Sequence, residues 1–385
     1  MTIRDKRQQE FADRWLNHGR FGILNLCPRF GKIRTTINIL NKFDNPHILI
    51  AYPDNKIKQS WIDEFELMGY KNDNIMYTTH RSLGKHVDVW DIVIIDEIHL
   101  LSPAQRDVCK ELFDVNVYIL GLTGTLSKWT RRDLRDELGI EVIASYPIEK
   151  AIEEGVIVDY EITVIQVPLD NQVIQTYTKK NIKKTELQQF NFLSNQINRM
   201  MYTGANTMFH RLARMRIIQN SVAKLNKTRE ILRNNPDERI LVFCGITRIA
   251  DSLGIPSHHS KSKDKEAFNK FAEGEGNHMA VVKIGNTGVT YKPLNKVIIN
   301  YFDSNAENLA QKINRCMAME YNTPDKKSHI YIISSDKDVE LKWLQKALEF
   351  FDKSKIKYVE NSYICNNKII INILKDEFKI NRSCW

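Results

Sequence analysis

Nothing in this 385-residue chain approaches the roughly 18 consecutive apolar residues that a membrane-spanning helix requires. The opening MTIRDKRQQEFADRW has no apolar signal core either. The six cysteines (Cys27, Cys109, Cys244, Cys316, Cys365 and Cys384) are scattered, with no C-x-x-C pair. That spacing argues against a zinc site or a disulfide framework and suits a reducing compartment. No internal repeat or low-complexity tract is present. These absences predict a soluble, intracellular, cytoplasmic protein. Acid is also missing from one place. Residues 171–235 hold twelve Lys/Arg against two carboxylates, Glu186 and Glu230. That surplus of ten exceeds the net charge of the whole chain, +9. An anionic partner is expected at that stretch.

What is present reads as α/β. The apolar fraction of 42% is that of an ordinary folded protein, and the length predicts two or three domains. FGILNLC (21–27), HILIAYP (47–53), WDIVIID (90–96) and VYILGLTGT (117–125) read as buried strands. NKIKQSWIDEFELMG reads as a helix stopped by Gly69. Strands alternating with helical stretches indicate a parallel sheet with crossover helices. After a short helix (IEKAIEEG), VIVDYEITVIQVPL reads as extended. Residues 170–235 place apolar residues at helical spacing. The α/β rhythm returns with RILVFCG (239–245), MAVVKIG (279–285), KVIINYF (296–302) and HIYIISS (329–335). The expected organisation is a first domain over 1–152 and a second over 153–345 that includes a basic helical segment, 170–235. Residues 346–385 form an extension with no functional reading.

Four pieces carry possible chemistry. CPRFGKIRTT (27–36) follows a strand and opens a helix, where backbone N–H groups and the helix dipole point at an anion. Lys32 would reach phosphate oxygens there, although Gly31-Lys32 alone also fits an ordinary strand–helix turn. IIDEIH (94–99) puts Asp96 and Glu97 at the C-terminal end of an apolar strand, where open parallel sheets bind ligands. Asp96 would hold Mg²⁺ through its water shell, and Glu97 would orient and deprotonate a water. Taken alone, an Asp-Glu pair is more often a solvated acidic turn. GLTGT (121–125) also follows a strand, and QKINR (311–315) falls in an expected helix. Each piece is common alone. The order, spacing and strand-end placement of all four together are not.

With these motifs in order, the chain resembles the superfamily 2 helicases and translocases, and among them the small phage helicases of the UvsW type. The resemblance spans about residues 4–335. CPRFGK is similar to motif I, YPDNKIKQSWIDEF to motif Ia and TTHRSL (78–83) to motif Ib. DEIH is similar to motif II and TGT to motif III. ILVFCG resembles motif IV, NTGVTY (286–291) motif V with Gly288, and QKINR motif VI with Gln311 and Arg315. Gln8 or Gln9 falls where the family places an adenine-reading glutamine.

The resemblance implies two tandem RecA-like domains with ATP and Mg²⁺ in the cleft between them. The nucleotide would be held by Gln8, Pro28, Arg29, Phe30, Gly31, Lys32, Ile33, Gly288 and Gln311. Lys32, Asp96, Glu97 and Arg315 would carry the chemistry. His99, Thr123, Gly124 and Thr125 would couple nucleotide to strand. Motifs Ia, Ib, IV and V would touch phosphates, Thr79 and Thr247 among them, giving sequence-independent binding. The implied activity is an ATP-dependent DNA helicase acting on duplex, forked or branched DNA in phage-type replication, recombination or repair. A duplex translocase that does not separate strands is the alternative among motors. A nucleotide-gated DNA-binding protein with a weakened ATPase is the alternative of another class.

Two departures favour that last alternative. Motif I normally follows its lysine with a hydroxyl that ligates Mg²⁺, and Ile33 has none. Motif VI normally carries a second arginine, and Ala318 stands in its place. Ala318 reflects natural decay, a deliberate substitution or a shifted register, and the sequence does not choose. Slow hydrolysis with retained nucleotide binding is the expectation.

In the basic stretch, Lys179, Lys180, Lys183, Lys184, Arg199, Arg211, Arg214 and Arg216 interleave with Tyr177, Phe190, Phe192, Tyr202 and Phe209. The cations are expected to bind nucleic acid and the aromatics to pack inward.

Overall fold

The computed structural model describes residues 1–360 apart from 88, 114–116, 178–181, 263–264, 283–290, 292–293, 304–305, 315–316 and 318–326. The first lobe runs α1 (Ile3–Asn17), β1 (Phe21–Leu26), α2 (Lys32–Leu40), β2 (Ile48–Tyr52), α3 (Lys56–Leu67) and β3 (Ile75–Thr79). It continues with β4 (Ile92–Ile95), α4 (Pro103–Phe113), β5 (Tyr118–Thr123), α5 (Lys128–Leu138) and β6 (Val142–Tyr146). Its six strands form a parallel sheet in the order β3-β2-β4-β5-β1-β6. Every residue of β2 and β4 is buried, as expected of strands covered on both faces. The order matters for function. β4, β5 and β1 are neighbours, in register Ile95 to Gly121 and Asn25 to Thr123. Their C-terminal ends therefore bring DEIH, TGT and CPRFGK to one edge.

A linking helix α6 (Ile148–Glu153) leads into the second lobe. Ile148, Ala151, Val156 and Ile157 are buried and continue the apolar core across this junction. Arg7 of α1 pairs with Glu154, and Arg4 donates to the Val156 carbonyl at 2.5 Å, so α1 clamps the linker.

The second lobe contains β7 (Asp159–Val167), β8 (Gln175–Tyr177), β9 (Ile182–Lys184), α7 (Glu186–Tyr202), α8 (Met208–Gln219) and α9 (Val222–Arg233). There follow β10 (Ile240–Cys244), α10 (Thr247–Asp251), β11 (Ser257–His258), α11 (Glu266–Glu273) and β12 (His278–Val282). The described elements end with β13 (Lys296–Ile299), α12 (Ala306–Ile313), β14 (Lys327–Ser335), α13 (Asp338–Leu348) and β15 (Ile356–Glu360). Seven strands form a parallel sheet, β11-β12-β10-β13-β14-β7-β15. The sheet therefore reaches past residue 345, because β15 pairs with β7.

The molecule is thus two parallel-sheet α/β lobes, in the manner of tandem RecA-like domains. Among the described residues, no helix is long and apolar enough to cross a membrane.

The basic stretch differs from its expected form in two ways. Its start is not helical, because β8 and β9 pair as an antiparallel hairpin. Three of its aromatics do not pack inward. Phe190 is buried against Leu193, Ile217 and Ile218, but Phe192, Tyr202 and Phe209 are exposed. The inward face of α7 (Glu186, Gln189, Phe190, Leu193, Ile197) uses up the space at the hairpin base. Residues off that stripe or beyond the base stay exposed, Phe192 with Lys184 over its ring.

Candidate active site

β1 ends at Leu26, and the chain turns through Pro28, Arg29 and Phe30 before Gly31 opens α2. Gly31 has φ 101° and serves as the helix N-cap without a side-chain hydrogen bond. Glycine is required here twice over. The conformation is left-handed, and a Cβ would meet Gln8 Nε2 at 2.4 Å. Gln8, buried on α1, donates from Nε2 to the Phe30 carbonyl at 2.9 Å. Gln9 instead reaches Asp13 on the surface, so Gln8 is the glutamine that touches the loop. The Phe30 ring is fully buried against Phe11 and Tyr146, centroids 5.6 and 4.8 Å away. A ligand on this loop would therefore meet the Phe30 backbone and not its ring. Arg29 sits at φ 68°, and Pro28 packs near Gly124.

Lys32 turns toward the end of β4. Its Nζ binds Glu97 Oε1 directly and lies 3.7 Å from Asp96 Oδ1. Burial disfavours the ammonium, but Glu97 and then Asp96 outweigh it and raise the Lys32 pKa. The two carboxyls are pushed apart. Burial raises Asp96, and the neighbouring Glu97 charge adds to it against the pull of Lys32. Burial also opposes Glu97, but Lys32 and His99 hold it below the ordinary glutamate value. Glu97 is thus the stronger acid of the pair, so its carboxylate form is favoured. Its backbone is left-handed at φ 49°, a conformation costly for a residue with a Cβ and found where function demands an aim.

Three further groups converge on this centre. His99 Nδ1 is 3.4 Å from Glu97 Oε2 and 2.8 Å from Thr123 Oγ1. Thr123 Oγ1 in turn donates to the Thr125 carbonyl at 3.1 Å. A Cβ on Gly124 would come within 3.2 Å of the Leu26 carbonyl and 3.3 Å of Pro28. Motifs I, II and III thus form one contiguous polar chain from Lys32 through Glu97 and His99 to Thr123.

Sequence reading overlooked two residues that fix Asp96. Trp61 of α3, fully buried, donates from Nε1 to Asp96 Oδ2 at 3.2 Å. His80 Nε2 meets the Asp96 carbonyl at 2.9 Å. The Gln-x-Trp wording of motif Ia was the available signal for Trp61.

Burial pushes the His80 imidazole down to about 4 from 6.5, while its contact with Asp96 pulls the other way. The unfolded chain therefore binds this proton first. His80 contributes stability that is complete above about 6.5 and is lost as pH falls toward about 4. In urea titrations across that window, His80→Gln should flatten the acid-side loss of stability relative to the natural chain. Parallel pH profiles for the two would contradict the assignment.

The hydroxyl missing at Ile33 is not recovered nearby. Ile33 packs against the core, and Thr35 and Thr36, both buried, donate back to the Gly31 and Lys32 carbonyls at 3.2 and 3.1 Å. Among the described residues, no cluster of three or more His, Cys, Asp or Glu is placed to hold a metal.

Of the other expected residues, Thr79 caps the 3₁₀ turn over His80–Lys85 and Thr247 opens α10, both partly exposed. Gln311 is partly buried on α12. Lys183 is exposed, Lys184 Nζ sits 3.7 Å from the Phe192 centroid, and Arg216 is exposed. Arg211 reaches the Met201 sulfur at 3.7 Å. Arg214 is half-buried over the Phe190 ring and donates to Ser194 at 3.3 Å, which makes it partly a packing residue. Lys179, Lys180, Gly288, Arg315 and Ala318 lie outside the described residues.

Residues 223–319 match the family model described as the helicase conserved C-terminal domain. The DNA 3'-5' translocase XPB2 of Sulfurisphaera tokodaii is 26% identical over 316 residues, covering 70% of this chain and 68% of that protein. Two solved structures of S. cerevisiae Dbp5 bound to RNA and ADP BeF3, one of a single-substitution variant, superpose with TM-scores of 0.59 and 0.57. Each is 11% identical; they cover 97% of this chain, and 93% and 92% of theirs. Residues 223–319 thus match a helicase C-terminal domain, the chain is similar in sequence to a DNA translocase, and its two-lobed fold is similar to that of Dbp5.

Proposed function

We propose that this chain is an ATP-driven DNA motor that moves on duplex, forked or branched DNA, with residues 1–152 as one moving part and the lobe from 153 through β15 as the other. The observation that carries the reading is Lys32 held against Asp96 and Glu97 where three adjoining strands end. That donor set fits a magnesium–triphosphate. The left-handed Gly31 opens the loop backbone, and Lys32 supplies the charge for phosphate oxygens. Asp96, oriented by Trp61, would meet Mg²⁺ through water, and Ile33 offers it no oxygen. When bound, Mg²⁺ and ATP supply an electrophilic γ-phosphoryl group. Glu97, released by Lys32 as that lysine turns to phosphate, is then free to take a proton from water. The His99–Thr123–Thr125 chain reports the change of Glu97 partner to motif III.

The relative's name as a DNA 3'-5' translocase supports DNA as the track. Unwinding, and a place in phage replication, recombination or repair, rest on the resemblance in sequence alone. The nucleotide-gated binder keeps one supporting observation: Thr35 and Thr36 turn their hydroxyls into the helix backbone. ATP turnover measured without nucleic acid and with single-stranded, duplex and forked DNA decides between them. Stimulation by DNA supports the motor. Tight DNA binding with flat turnover overturns it. A strand-displacement assay then separates helicase from translocase.

A further inference from the structure

The α7–α8 hairpin ends in a surface with no explanation in the fold. α7 and α8 are joined by residues 203–207, a tight turn in which Ala205 N donates to the Met200 carbonyl at 2.9 Å. Around this turn Tyr202 is 93% exposed, Phe209 79%, Met208 61% and Met201 57%. Leu212 joins them, partly uncovered. A soluble surface rarely gathers large apolar side chains this way unless something covers them. Their surroundings carry charge of one sign. Arg199, Arg211 and Arg216 are exposed on the same hairpin, and no carboxylate occurs between Glu186 and Glu230. The partner must therefore be anionic and also offer flat apolar faces. A paired duplex offers the first and hides the second. Unpaired nucleotides offer both.

We propose that the hairpin tip is a binding site for unpaired nucleobases, with Tyr202 and Phe209 stacking on bases and Arg199, Arg211 and Arg216 neutralising adjacent phosphates. The inference rests on the DNA-motor reading and deepens it: it gives the chain a preference for single-stranded or forked DNA over blunt duplex. The hairpin is built to hold such a tip out from the lobe. Glu186, at the base, is buried and accepts from Ser221 Oγ at 3.0 Å and Val222 N at 2.6 Å, fixing α7 to the start of α9. Thr185 and Gln188 cap α7 reciprocally. The tip itself contributes nothing to this anchoring.

The test is fluorescence anisotropy of the full chain with labelled oligothymidine, a forked duplex and a blunt duplex. The proteins are the natural chain, the double variant Tyr202→Ala/Phe209→Ala, and Arg199→Ala/Arg211→Ala. The aromatic double variant should bind oligothymidine and fork about 5- to 100-fold more weakly and blunt duplex as the natural chain does. The arginine variant should weaken on all three and show a shallower salt dependence. Equal affinity of the aromatic variant for every probe overturns the proposal, as does equal weakening on blunt duplex. Sedimentation equilibrium covers the competing occupant. A natural chain that self-associates through the tip, and becomes monomeric in the aromatic variant with DNA binding unchanged, also overturns it. These results are separable from the motor reading. If DNA never stimulates ATP turnover in the natural chain, the motor falls; if it does and the aromatic variant binds every probe normally, only the tip falls.

Discussion

Glu97→Gln is expected to bind magnesium–ATP and DNA as the natural chain does and to lose roughly 10²- to 10⁴-fold in turnover, the range for removal of a positioned proton acceptor. The substitution keeps side-chain size and the contact distance to Lys32, and removes only the basic oxygen. The role proposed for this oxygen as the base rests on its environment. Lys32 and His99 hold Glu97 ionised in a buried site, whereas burial makes neighbouring Asp96 the weaker acid. A second consequence follows from His99 Nδ1, which lies 3.4 Å from Glu97 Oε2 and 2.8 Å from Thr123. The variant should therefore also lose part of the stimulation of turnover by DNA, because motif III listens through that link. Single-turnover hydrolysis with and without forked DNA measures both effects. Unchanged hydrolysis in Glu97→Gln would remove it as the base.

The second large effect concerns stability. Lys224 and Glu340 are fully buried and bind each other directly, joining α9 to α13 in the second lobe. Glu340 also accepts the Ser335 N–H at 2.7 Å, and Lys224 Nζ lies 5.5 Å from the Phe302 centroid. Burial lowers the Lys224 pKa even though Glu340 opposes it. Removing one partner strands the other charge in a dry site, at a cost of about 3–5 kcal/mol. Lys224→Met should therefore unfold at markedly lower urea. The double variant Lys224→Met/Glu340→Gln should recover most of the loss, because glutamine still accepts from Ser335 and no charge is left alone. Additive losses in the double variant would show that the pair is not coupled.

Much of this molecule is legible in the chain because parallel strands buried on both faces are near-continuous apolar runs. ILIAY and IVII announce β2 and β4 without ambiguity. The motif residues stand at strand ends, where an apolar run stops, so Lys32, Asp96, Glu97 and Thr123 are visible as punctuation. Strand β3 and strand β15 escaped because their burial is partial and their patterns mixed. Trp61 and His80 escaped for a different reason. A tryptophan or histidine in an apolar helix or turn looks like core, and only the sheet order shows both reaching Asp96. The exposed Tyr202 and Phe209 could not be read either. Helical spacing says which residues share a stripe, but not that the residues around the hairpin turn stay uncovered.

Isothermal titration of a non-hydrolysable ATP analogue with Mg²⁺ into the natural chain and Lys32→Ala tests the central claim most directly. Lys32 is held against two acidic side chains, and the proposed motor has it turn to phosphate, so its loss should weaken the analogue by about 10- to 150-fold, the worth of a charge-assisted hydrogen bond. Equal affinity in the two proteins would contradict the account, because no triphosphate would then be seated on the loop that Gly31 opens.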